Sequence, residues 1–144
     1  MPALDSRTSK TLVRTSATIE ALTGIALIAA PDLLGRLLLG VGFDSSGIAV
    51  ARLTGVALLC LAIACWTATA QAVRALFTYN FLAGLYLGYL RVGGGFVGHL
   101  LWPVCVLHLL LAIVFLHPAI DGILLARTMQ SHPPQATNSG KELR

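Results

Sequence analysis

Glu20, Asn80 and His108 each stand inside a long apolar run of this 144-residue chain, and Arg52 stands near the start of another. A carboxyl takes up and releases a proton, an imidazole relays one, and an amide holds either in place by hydrogen bonds. With a helical rise of about 1.5 Å per residue, Glu20 lies about 12 Å in from one end of its run. Asn80 lies about 10 Å in from the same side, and His108 near the middle of its own run. The three therefore fall in overlapping layers, with Thr23 and Tyr79 close by in sequence. Arg74 sits at the rim, within reach of Glu20. Arg52 sits near the opposite end, so a Glu20–Arg52 pair would have to stretch across about 12 Å of depth. The expected chemistry is a buried polar site for a proton, an ion or a lipophilic headgroup. Glu20 would titrate, Asn80 hold a hydrogen bond, His108 relay, and Arg52 anchor at the interface or pair between helices. The alternative is cohesion alone, through interhelical hydrogen bonds of about 0.6 kcal/mol each, reaching 1–2 in model systems.

Other patterns carry less. His99, His108 and His117 are nine residues apart, which turns a helix by about 900° and points neighbours to opposite sides. His99 and His117 share a face but stand about 27 Å apart. No two of them can hold one metal within a helix, so neither a metal nor a haem cofactor is expected. Gly93-Gly94-Gly95-Phe96-Val97-Gly98 matches G-x-G-x-x-G in letters. Without a strand before it and a helix opening in it, the pattern predicts a flexible loop. Cys60, Cys65 and Cys105 form no C-x-x-C pair and are expected to act as small buried apolar groups.

The elements that must position these residues follow from the apolar runs. They cover roughly 12–30, 48–70, 73–92 and 100–117, and about 20 apolar residues cross a hydrocarbon core of about 30 Å. The composition agrees: 56% hydrophobic, 11% charged, mean hydropathy +0.81. A soluble domain carries about 25% charged residues. The predicted fold is all-α, an integral membrane four-helix bundle with a short interfacial helix after the first span. In that short helix Pro31 and Asp32 suit the first turn, and Arg36 snorkels. Residues 1–11 form a polar arm, 12–128 the four-span domain and 129–144 a disordered polar tail. Ser45 or Ser46 is expected to cap the second span, and a break around Gln71 to separate the second span from the third. The N-terminal run is expected to be a retained span rather than a cleaved signal, because Glu20 interrupts it and Pro31-Asp32 ends it.

Charge sets the orientation. With four spans, Arg7, Lys10, Arg14, Arg74, Arg127, Lys141 and Arg144 share one side, and Arg36, Arg52 and Arg91 the other. The excess of basic residues then puts both termini in the cytoplasm, with Trp66 and Trp102 in the two interfacial belts. The net charge of +4 is scattered over segment ends, so no nucleic-acid partner is expected. Gly24, Gly55, Gly84 and Gly88 are the expected packing positions, through patterns such as Ala51-x-x-x-Gly55 and Gly84-x-x-x-Gly88. The expected partners are the lipid bilayer and either a second copy or another membrane subunit.

The segment with Glu20, Gly24 and Pro31, followed by Arg52-Leu53-Thr54-Gly55 opening the second span and a glycine-marked third span, resembles the DoxX-like group of small four-span bacterial membrane proteins. The resemblance covers about residues 12–117. It implies a four-helix bundle in the inner membrane, accessory to redox or stress functions, with Arg52 and Gly55 as family-like positions. Some relatives are linked to quinone-dependent sulfur oxidation. Two functions fit the chain. One is an accessory or structural subunit of a membrane complex, which the absence of catalytic motifs favours. The other is a lipophilic-ligand (quinone-like) subunit of a membrane oxidoreductase, or a small carrier, built on Glu20, Asn80 and His108.

Overall fold

The computed structural model describes the backbone of residues 6–131 and side chains between residues 7 and 120. Among the described residues the protein is all-helical, with five helices: α1 (Ser6–Ala29), α2 (Pro31–Leu39), α3 (Ser45–Cys65), α4 (Ala70–Val92) and α5 (Leu101–Ser131). Three of them, over Ser9–Ala29, Ser45–Cys65 and Leu101–Ile120, are long and apolar enough to cross a membrane. Helix α4 is 23 residues long but carries Arg74, Asn80 and Arg91 among its apolar residues, and is not one of the three. Of the four expected spans, three have the required composition.

Each long helix buries one narrow stripe. On α3 it is Ala51, Gly55, Leu58, Ala62 and Cys65. On α5 it is Leu101, Cys105, His108, Ala112, Phe115 and Ala119. Alternating steps of four and three residues are the pattern that favours slight left-handed crossings between helices. Almost everything off the stripes faces outward, including Leu53 at 70% and Ile63 at 73% exposure. Apolar side chains turned outward on this scale need hydrocarbon, not water, around them.

The helices associate most closely as two pairs, α1 with α3 and α4 with α5. Small residues allow the first pair its approach. A Cβ at Gly24 would come within 2.7 Å of the Gly55 carbonyl, and one at Gly55 within 2.6 Å of the Gly24 carbonyl. In the second pair Gly84 lies against Leu109, whereas Gly88 has room. The pairs meet in one apolar cluster containing Val13, Ala17, Ala62, Cys65, Leu76 and Phe115.

The ends of the elements differ from several expectations. Asp44, not Ser45 or Ser46, caps α3, accepting the Gly47 N–H at 2.7 Å. A carboxylate at that position holds both the amide and the Ser46 hydroxyl, at 2.8 Å. The break between α3 and α4 comes at residues 66–69, before Gln71. Ala68 takes a left-handed φ of 52° and Thr69 caps α4. The arm expected over 1–11 is helical from Ser6, and α5 runs through Pro118 to Ser131, three residues into the expected tail. Residues 1–5 and 132–144, including most of that tail, lie outside the described residues.

Helix α2 is tied down at both ends. Asp32 pairs with Arg36 at 2.9 Å and accepts the Phe43 N–H at 2.9 Å. These contacts, the Arg36 bond first, hold the Asp32 carboxyl below its usual range. The Gly47 N–H, followed by the Ser46 hydroxyl, does the same for Asp44. At the other end Gly98 is buried with its backbone against the Leu38 carbonyl, and the Leu100 N–H donates to Leu37 O at 2.9 Å. The C-terminal end of the glycine-rich segment is thus docked on α2, because only a residue without Cβ fits at Gly98, whereas Gly93, Gly94 and Gly95 are exposed.

Candidate functional site

Helix α1 directs Ser16 and Glu20 inward on the same face as Val13, Ala17 and Gly24, since residues four apart lie one above the other. Glu20 is 1% exposed and Ser16 not at all. The half-buried Tyr79 of α4 reaches the Glu20 side chain as its hydrogen-bond partner. Cys65 of α3 lies within electrostatic reach of the same carboxyl. Glu20 and the three residues around its carboxyl thus come from three helices.

Two atoms at this place have no partner, Glu20 Oε1 and Ser16 Oγ. A buried polar group left without a hydrogen bond costs roughly 1–3 kcal/mol. For Ser16 the cost is avoidable. Thr11, Thr18 and Thr23 of the same helix each donate to the carbonyl four residues back, at 2.8–3.0 Å. Ser16 makes no such bond.

Beside it lies a second polar pair. Asn80 Nδ2 donates to Leu76 O at 2.8 Å, and Asn80 Oδ1 meets His108 Nδ1 at 2.8 Å. Asn80 is fully buried and His108 is 8% exposed. Tyr79 links the two halves. Its ring stands edge-on to the His108 ring with centroids 5.7 Å apart, while its phenol serves Glu20. The result is a polar chain across the interior: Ser16 and Glu20 on α1, Tyr79 and Asn80 on α4, His108 on α5.

The expected site residues thus separate. Asn80 and His108 touch directly, and Glu20 joins them through Tyr79. Arg52 does not join them, since it is exposed on the side of α3 away from the buried stripe. Arg74 is turned to its own helix, with Nε 3.4 Å from Ala70 O. Ser16 was not anticipated, and Tyr79 was noted only as a neighbour. The signal for Ser16 was its spacing of four from Glu20. His99 and His117 are exposed and apart from the buried His108. Cys65 and Cys105 are buried, whereas Cys60 faces outward. Among the described residues no three His, Cys, Asp or Glu side chains come together as a metal site.

Chemically, the arrangement can accept and hold protons, and its open atoms can receive one small hydrogen-bonding group. No known protein family, no curated protein and no solved structure matches the chain.

Proposed function

We propose that this chain is a four-span protein of a bacterial inner membrane, with both termini in the cytoplasm. It would act as a subunit of a membrane complex that binds a lipophilic, hydrogen-bonding ligand at the Glu20–Tyr79–His108–Asn80 cluster. In this reading α4 is the fourth span, its polar side chains turned to α5 and α1, and the whole forms a four-helix bundle of DoxX-like type. The observation that carries it is the pair of buried oxygens without partners, Glu20 Oε1 and Ser16 Oγ. Groups kept only for cohesion between helices would be expected to bond to one another, because hydrocarbon offers no substitute. Open polar atoms at the centre of a small protein mark a place for a guest.

The test is thermal stability of the detergent-purified protein with a panel of lipophilic ligands, quinones included, for wild type and Glu20→Gln. Binding to the folded state raises stability as ligand increases. A rise that requires Glu20 supports the ligand site. No response from either protein, with the variant as stable as wild type, would leave a purely structural subunit. The reciprocal Gly24–Gly55 contact is what favours that second reading.

A further inference from the structure

The hydrogen-bond inventory of the cluster defines the guest it can complete. Asn80 Nδ2 donates to Leu76 O at 2.8 Å, which fixes the facing of the amide, since a flipped amide would set oxygen against oxygen. Oδ1 therefore accepts from His108 Nδ1–H at 2.8 Å. In the neutral ring the proton is then on Nδ1, and Nε2 keeps a lone pair. Tyr79 stands close enough to Glu20 for its phenolic proton to serve the carboxyl. What stays open is Glu20 Oε1 and the Ser16 hydroxyl, which can both donate and accept. No lysine or arginine among the described residues is paired with Glu20. Arg74 is turned to Ala70 O, and Arg52 faces outward.

Once ionised, Glu20 has no counter-charge beside it, and a guest that brings protons and positive charge completes it. We propose that the site between Ser16 and Glu20 takes the ammonium head of a lipophilic amine, in exchange for the carboxyl proton. The proposal rests on the reading of this cluster as a ligand site and narrows it to one chemical class. A quinone carbonyl could accept from the Ser16 hydroxyl but would bring no charge to offset an ionised Glu20.

The exchange balances simply. The amine arrives as its ammonium, Glu20 gives up its proton to the medium, and an ion pair remains. The groups facing the carboxyl are Ser16 on its own helix, Cys65 from α3, Tyr79 from α4 and, through the Tyr79 ring, His108 from α5. None of these is a cation competing for it when His108 is neutral. Affinity should therefore rise with pH until the amine loses its own proton.

The experiment is calorimetric titration of the full chain in detergent with adamantane-1-amine, adamantane-1-ol and a short-chain benzoquinone. Running it in two buffers of different ionisation enthalpy counts the protons released. The expected result is amine binding with proton release, weakened on the order of tenfold or more in Glu20→Gln. Ser16→Ala should also weaken it while leaving the carboxyl in place, which covers the case in which Glu20→Gln does not fold. Unchanged amine affinity in Ser16→Ala would overturn the proposed seat. Glu20-dependent binding of the quinone without the amine would overturn the amine proposal and keep the ligand site. Failure of all three probes to bind the folded wild type would overturn both.

Discussion

Alanine at Gly55 should drive α1 and α3 apart. The added Cβ would stand 2.6 Å from the Gly24 carbonyl, 2.8 Å from Ile28 Cγ1 and 3.1 Å from Leu27 Cβ. Ordinary contact begins at 3.4 Å, so the helix must yield by about 0.8 Å, the difference between 3.4 and 2.6. A side chain could swing away, but the Gly24 carbonyl moves only with its helix. Overpacking of this kind costs about 1–3 kcal/mol. The same substitution also gains roughly 0.5–1 kcal/mol from helix propensity. Gly88→Ala is the control, because its Cβ would meet only Cys105 Sγ at 3.6 Å and gains the propensity without the clash. The difference between the two variants thus isolates the steric cost. Equilibrium unfolding in mixed micelles, followed by helical circular dichroism, should place Gly55→Ala about 1–3 kcal/mol below Gly88→Ala. Equal stability of the two would refute close backbone approach as the basis of the α1–α3 pair.

Three further outcomes are expected. Asp44→Ala removes the cap of α3 and should lower stability by about 1 kcal/mol in the same assay, with Asp44→Ser losing much less. Asp32 is held below its ordinary value of 3.8, by Arg36 and then by the Phe43 amide. A lowered folded value means that its contribution is complete above 3.8 and is lost as pH falls through the folded value. Protection of the Phe43 amide against hydrogen exchange should accordingly fall in acid, and Asp32→Asn should remove that dependence. Protection that stays constant from about pH 6 down into strong acid, with the protein still folded, would count against it. Finally, nitrogen NMR should find the neutral His108 ring protonated on Nδ1, and Asn80→Ala should shift the proton towards Nε2. An identical pattern in both proteins would contradict the Asn80–His108 bond.

Much of the polar interior was legible from residue type alone. A carboxyl, an amide and an imidazole are costly in hydrocarbon, so Glu20, Asn80 and His108 mark themselves, and helical rise places them at similar depths. Which way each turns is harder to read. Arg52 follows Ala51, the first member of the small-residue stripe on α3, and one residue's rotation of about 100° carries it off the buried face. The stripe was present in the sequence, and its continuation through Leu58, Ala62 and Cys65 would have excluded Arg52. Ser16 was legible only through its spacing of four from Glu20; its open hydroxyl was not, because a helical serine ordinarily bonds its own backbone and only the actual rotamer leaves it free. Nor was the seat of Gly98 on α2, which depends on two segments about 60 residues apart in sequence meeting at one end of the molecule. Gly24 and Gly55 were legible as packing residues but not as each other's partners.

The division into two tight helix pairs has a mechanical consequence. Contacts within α1–α3 and α4–α5 are dense, and those between the pairs are sparse. A rigid scissoring of one pair against the other about residues 66–69, where Ala68 holds a left-handed turn, would therefore disturb the fewest contacts. Because the Asn80–His108 bond lies wholly within one arm, it travels with that arm intact. The Glu20–Tyr79 contact spans both arms and takes up the displacement. Such a bend would also uncover Glu20, the one buried acid among the described residues.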